Sequence, residues 1–97
     1  MKARYALSPA AQSDLNEIWN YSAERWGADR ADSYIRHLIG AVEKIATGKR
    51  RGRPCDDIRQ GYFKYSCEQH VLFYRMSGET LDVVRILHQR MDFNRRL

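Results

Sequence analysis

The chain has 97 residues, 43% of them hydrophobic and 30% charged, with a formal net charge of +5. That length suits one domain with a single two-layer core, and the balance of apolar to charged side chains excludes a disordered chain. No apolar run approaches the roughly 20 residues of a bilayer-spanning helix and the N-terminal segment has no apolar signal-peptide core, so a soluble, unexported, cytoplasmic protein is expected.

Ala3-Arg4-Tyr5-Ala6-Leu7 is a short apolar-polar alternation ending at Ser8-Pro9, the pattern of a strand. Ser8 is placed to cap a following helix, and Pro9 at the first helical position forfeits no useful N–H. Ala11, Leu15, Ile18, Trp19, Ser22 and Trp26 then recur at helical spacing, with Asp14, Glu17, Glu24 and Arg25 falling elsewhere. Gly27 follows the last of them and suits a left-handed stop. A second helix is expected from Asp29, read as its cap, with Ala31, Tyr34, Ile35, Leu38, Val42, Ile45 and Ala46 as its apolar stripe. The link Gly27-Ala28-Asp29 is so short that the two helices should run antiparallel as a hairpin. Gly40 interrupts the second helix at a cost of about 1 kcal/mol relative to Ala, either to permit close helix–helix approach or with no packing role.

Residues 47–57 read as a loop punctuated by Gly and Pro and carrying the basic run Lys49-Arg50-Arg51-Gly52-Arg53. Beyond it aromatic and β-branched residues dominate over residues 62–67, 70–76 and 81–88, separated by Glu68-Gln69 and by Ser77-Gly78-Glu79-Thr80. Short polar connections of this kind predict antiparallel hairpins. The order β-α-α-β-β-β, over a single domain spanning residues 1–97, gives an α+β fold: a helical hairpin packed on one face of a small, mostly antiparallel sheet.

The charge is unevenly placed. Lys2, Arg4, Arg25, Arg30, Arg36 and Lys44 are balanced by Asp14, Glu17, Glu24, Asp29, Asp32 and Glu43, whereas residues 48–97 hold eleven basic and six acidic side chains. Such asymmetry implies an acidic partner, nucleic acid or an acidic protein segment. Cys55 and Cys67 have no CxxC spacing and no His at a metal-ligand spacing, so reduced thiols and no metal or cofactor are expected. A Gly-rich phosphate loop and a nucleophile elbow are both absent from the sequence. Lys2 and Arg4 read as solvated.

Several phrases are ordered along nearly the whole chain. Leu7-Ser8-Pro9-Ala10-Ala11 leads to Asp14-Leu15-Asn16-Glu17-Ile18-Trp19 and Arg25-Trp26-Gly27. Later come Ile58-Arg59-Gln60-Gly61-Tyr62, then His70-Val71-Leu72-Phe73-Tyr74-Arg75, then Val84-Arg85-Ile86-Leu87-His88-Gln89-Arg90-Met91-Asp92. The ordered set resembles the ParE branch of the RelE/ParE superfamily of type II toxin–antitoxin toxins. The resemblance implies a toxin that is neutralised by a ParD-type antitoxin and poisons DNA gyrase by binding, stalling it on cut DNA, rather than acting as an enzyme. Toxins of the RelE branch share the fold but are ribosome-dependent messenger RNA endonucleases, so the fold does not choose between the two. A non-toxic interaction module is the remaining alternative.

Site chemistry must make the choice. Metal-free RNA cleavage needs a base for the 2′-hydroxyl, an acid for the leaving oxygen and cations for the phosphorane charge. The candidates are His88 and Arg85, Lys64 and Tyr65, Arg75, and the tail arginines, of which His88 alone titrates naturally near neutrality. Arg85 and His88 are three residues apart, so a regular strand sends them to opposite faces unless a bulge intervenes. No catalytic residue is therefore assigned. His88 reads as a strand-end histidine bonded to backbone or as part of a target surface, and His37 and His70 as surface or part-buried side chains.

Target contact is expected from Arg85, His88, Arg90, Met91, Phe93, Arg95 and Arg96, a basic strand end and tail in which Met91 and Phe93 are exposed. Lys49, Arg50, Arg51 and Arg53 form either a solvated loop or a phosphate-contacting element on a gyrase–DNA complex. Trp19 is expected in the core. The hairpin nonetheless carries more aromatic area than one thin sheet covers, and the resemblance implies that ParD wraps this part of the toxin. Trp26, Tyr34, Leu38 and Val42 are therefore candidates for a groove that takes an amphipathic antitoxin helix.

Overall fold

Strand β1 (Tyr5–Leu7) leads into α1 (Pro9–Trp26) and α2 (Ala28–Ala46), followed by β2 (Arg53–Pro54), β3 (Phe63–Cys67), β4 (His70–Ser77), β5 (Thr80–His88) and a single-turn helix α3 (Phe93–Arg96). This is a computed structural model that describes residues 4–97. Lys2 and Ala3, expected as a solvated side chain and a strand residue, lie outside the described residues, and Arg4 is exposed. The five strands are ordered β1-β5-β4-β3-β2; β1 runs parallel to β5 and every other pair is antiparallel.

The helical hairpin forms for the local reasons that its sequence suggests, with one correction at its turn. Ser8 Oγ accepts the Ala11 N–H at 3.0 Å and donates to the Val84 carbonyl at 2.6 Å, so one hydroxyl caps α1 and fastens it to β5. Gly27, at φ 94°, terminates α1 and also stands as the N-cap of α2, which begins at Ala28. Asp29, expected as a side-chain cap, instead lies inside the first turn, where its charge faces the positive end of the helix dipole. A Cβ on Gly40 would meet nothing within 4 Å, so no close helix approach requires that glycine.

Residues 47–57, expected as plain loop, contain the edge strand β2. Arg53 and Pro54 pair with Lys64 and Phe63, and on an edge strand the missing proline N–H costs no ladder bond. Between β4 and β5 the register shifts: Phe73 faces Arg85 whereas Tyr74 faces Val83, leaving Val84 as the extra residue of a bulge. The bulge resets the alternation of β5. Leu81, Val83 and Ile86 all join the core beneath the hairpin, with Leu15, Ile18, Leu38, Val42, Ile45, Leu72 and Tyr74.

The other face of the sheet is also covered. Cys55, Ile58 and Tyr62 from the β2–β3 connection, and Phe93 and Leu97 from the C-terminal turn, pack on Val71, Phe73 and Leu87. Phe93, expected as exposed, stacks edge-on against Phe73 with ring centroids 4.8 Å apart. Cys55 and Cys67 are free thiols and belong to different cores, on opposite faces of the sheet. Burial raises the pKa of both. No described helix is long and apolar enough to cross a membrane.

Candidate functional site

Past Val83, among the described residues, no strand flanks β5 on the side that β1 occupies earlier in its length. Asp14 of α1 fills that place. One carboxylate oxygen accepts the Ile86 N–H at 2.9 Å, and the two oxygens together take Arg85 Nε and Nη2, both at 2.8 Å. Arg85 Nη1 donates in turn to the Arg96 carbonyl at 2.9 Å, so the same guanidinium also anchors the C-terminal turn. The Asp14 hydrogen bonds raise the pKa of Arg85 further, against a smaller opposing effect of burial. Periodicity sets Asp14 off the apolar stripe, yet it is buried. The only sequence signal for that is a carboxylate next to Leu15 and one turn before Ile18, and its partner lies 71 positions away.

Between α1, the start of α2, the β3–β4 turn and the end of β5 runs a groove of about 970 Å³. Its walls carry Tyr21, Trp26 and Met91, which are among the large hydrophobic side chains left exposed, together with Arg25 and Arg30. Tyr21 and Trp26 meet edge-on at 6.4 Å, and the Arg25 guanidinium lies 5.2 Å over the Tyr21 ring. Trp26, expected on the core stripe of α1 as well as in a partner groove, is 53% exposed and belongs to the groove. Trp19 is half-buried, and its indole N–H donates to Asp32 at 2.7 Å, tying α1 to α2.

Deeper in the groove, His70 and His88 are direct cross-strand neighbours with ring centroids 5.3 Å apart. Tyr34 links α2 to this pair: its hydroxyl accepts the Gln69 N–H at 3.2 Å and bonds His70 Nδ1 at 2.7 Å. Burial, reinforced by His88 and partly offset by Asp14, lowers the His70 pKa to about 4, so its ring is neutral at physiological pH. His88 Nδ1 accepts the Arg90 backbone N–H at 3.1 Å, the backbone bond expected of a strand-end histidine. Among the described residues, no three His, Cys, Asp or Glu side chains gather as a metal-binding group.

The other residues singled out from sequence fall in three places. Leu38 and Val42, expected in a partner groove, are fully buried beneath the sheet; the stripe that lines the core cannot also face a partner, and only Trp26 and Tyr34 of that set line the groove. Arg85 is committed to Asp14 and Arg96, and Phe93 to Phe73, whereas Arg90, Met91, Arg95 and Arg96 are exposed at the end of β5 and on the C-terminal turn. Lys49, Arg50, Arg51 and Arg53 are exposed on the far edge of the sheet, beside β3. The bulge at Val84 precedes Arg85, so Arg85 and His88 remain on opposite sides of β5. Lys64 and Arg75 also lie opposite His88: Lys64 pairs across β4 with Phe73, and Arg75 reaches Asp82 at 3.8 Å.

A model of the family described as "ParE toxin of type II toxin-antitoxin system, parDE" matches residues 5–93. The chain belongs to the ParE toxin family. It is 55% identical to Toxin ParE1 of Mycobacterium tuberculosis, with all of both chains covered. In fold this ParE-family chain resembles the chromosomal ParDE toxin–antitoxin system of P. aeruginosa, with a TM-score of 0.77 at 18% identity, covering 88% of this chain and 94% of that one. It also resembles the toxin–antitoxin complex RelBE2 of M. tuberculosis, with a TM-score of 0.57 at 20% identity, covering 92% of this chain and all of that one. The chain is thus the toxin component of a ParDE-type system, and its fold is common to both branches of the superfamily.

Proposed function

We propose that this toxin acts by binding DNA gyrase in the cytoplasm, without catalysis of its own, and that a ParD-type antitoxin restrains it through the groove beside the helical hairpin. The observation that carries the non-enzymatic reading is the dispersal of the basic side chains. Lys64, Arg75 and Arg85 lie across the sheet from His88, and two of the three are held in ion pairs. The cross-strand neighbour of His88 is a neutral His70, which cannot supply a proton at pH 7. The strand cations Lys64, Arg75 and Arg85 are thus turned away from His88, and the cations that the groove does carry, Arg25 and Arg30, belong to the helices.

Arg90, Met91, Arg95 and Arg96 are the residues free to meet the target, and His88 borders them. The groove suits an amphipathic antitoxin helix, with Tyr21, Trp26 and Met91 as apolar anchors and Arg25 and Arg30 available to acidic side chains at its rim. Trp26→Ala should weaken antitoxin binding by tenfold or more, on the order of a hot-spot truncation.

The test incubates the purified toxin with gyrase, supercoiled DNA and ATP. Linear DNA should accumulate, and pre-mixed antitoxin should abolish it. Intact DNA together with cleaved messenger in a translating extract would transfer the chain to the RelE-like mechanism. Silence in both assays would leave an interaction module without toxicity.

A further inference from the structure

The basic run at the far edge of the sheet is tied to the fold at several points along its backbone. The Lys49 and Arg50 N–H groups both donate to the Lys44 carbonyl at the end of α2, at 2.8 and 3.1 Å. The Gly52 N–H donates to the buried Tyr74 hydroxyl at 2.8 Å. A Cβ on Gly52 would lie 2.6 Å from the Lys64 carbonyl and 2.7 Å from the Tyr74 hydroxyl, so only glycine lets the chain pass so close to β3. Arg53 is then fixed in β2, and the Cys55 N–H closes the segment on the Tyr62 carbonyl at 2.8 Å.

The charges it presents are held in no ion pair among the described residues. Among the described residues, none of Lys49, Arg50, Arg51, Arg53 and Lys64 has a carboxylate within 4.0 Å. Arg53 stands directly opposite Lys64 in the β2–β3 ladder, a like-charge pairing that destabilises a sheet. Asp56 and Asp57 follow closely in sequence, and the Asp56 carboxylate is turned onto the Gly61 N–H at 2.8 Å, so the segment 49–57 still carries four cations against two acids.

We propose that this β2 edge is a sequence-independent contact for the phosphate backbone of duplex DNA. Three of the four cations in the run are arginines, whose planar fork matches phosphate oxygens. An acidic protein partner would need an apolar patch at the centre of its interface. Among the described residues, the exposed large hydrophobic side chains are Tyr21, Trp26, Met76 and Met91, none of which lies on this edge. The groove is lined from α1, the start of α2, the β3–β4 turn and the end of β5, and none of Lys49, Arg50, Arg51 and Arg53 belongs to it, so the two surfaces are distinct. The proposal deepens the gyrase reading by giving the toxin a grip on the DNA that gyrase holds, but it is tested without gyrase.

The experiment measures binding of a fluorescent duplex of about 25 base pairs by anisotropy between roughly 50 and 200 mM salt. It compares the wild type, the edge variant Arg50→Gln/Arg51→Gln/Arg53→Gln, and the charge-matched variant Lys2→Gln/Arg4→Gln/Arg36→Gln, each checked for folding by circular dichroism. The slope of log K against log salt falls by about 0.9 for each phosphate that is no longer neutralised, so the edge variant should show a slope shallower by about 2.7. The charge-matched variant should keep nearly all of the wild-type slope. Equal reductions in both variants would reduce the effect to net charge and overturn the proposal. So would displacement of the duplex by poly-glutamate at matched charge concentration, which would mark the edge as an acidic-protein contact. Failure of the gyrase assay with the DNA result intact would sink the gyrase reading and leave this surface standing.

Discussion

Removing the Asp14 carboxylate tests whether one side chain substitutes for a missing strand. Asp14→Ala deletes both bonds to Arg85 and the acceptor for the Ile86 N–H. Breaking one side of a buried, hydrogen-bonded ion pair costs about 3–5 kcal/mol. The lower end applies here, because the Arg85 side chain is 21% exposed and keeps its bond to the Arg96 carbonyl. For a chain of this size, about 3 kcal/mol corresponds to a fall in Tm of roughly 12–24 °C. Asp14→Asn, which retains an oxygen for Ile86 but not the charge, should lose about half as much. Urea unfolding at pH 7, followed by circular dichroism, gives the values directly. In a cycle with Arg85→Met the two sites should couple by about 1–3 kcal/mol, and the coupling should survive about 1 M salt because the pair is largely shielded from solvent. A loss under about 0.5 kcal/mol for Asp14→Ala, or additive effects in the cycle, would refute the reasoning and make the pair an ordinary surface contact.

Two glycines should respond in opposite directions. Gly52→Ala forces a methyl against the Lys64 carbonyl and the Tyr74 hydroxyl, an overpacking that costs about 1–3 kcal/mol, whereas Gly40→Ala adds a methyl to open space in a helix and should stabilise by about 0.5–1 kcal/mol; paired thermal melts decide both signs. His70 gives a pH dependence. The unfolded chain takes up a proton near pH 6.5, but the folded ring does so only near 4, so the stability gained from keeping it neutral is complete above 6.5 and is lost as pH falls through that window. After allowance for partial solvent exposure, wild type should lose roughly 1 kcal/mol more than His70→Gln between pH 7 and pH 5 in urea titrations; equal losses would show that His70 is not the group responsible.

Much of this protein is legible in short stretches of sequence. Ser8-Pro9 starts α1 and Gly27 stops it because capping and positive φ are decided within a few residues. The strands at residues 63–67, 70–77 and 80–88 follow, to within a residue at each end, from aromatic and β-branched enrichment between short polar connections, and the ordered family phrases extend over almost the entire chain. The tertiary structure decided which apolar residues of the hairpin face inward. Leu38 and Val42 lie under the sheet while Tyr21 and Trp26 stand in the groove, although all four are apolar or aromatic and helical. It also decided that Arg85 is spent on Asp14, that Phe93 closes a second core, and that the bulge at Val84 leaves Arg85 and His88 on opposite sides of β5. Caps, turns and periodicity are set by neighbours in the chain. Burial, register shifts and ion pairs between residues 71 positions apart exist only once the elements have docked.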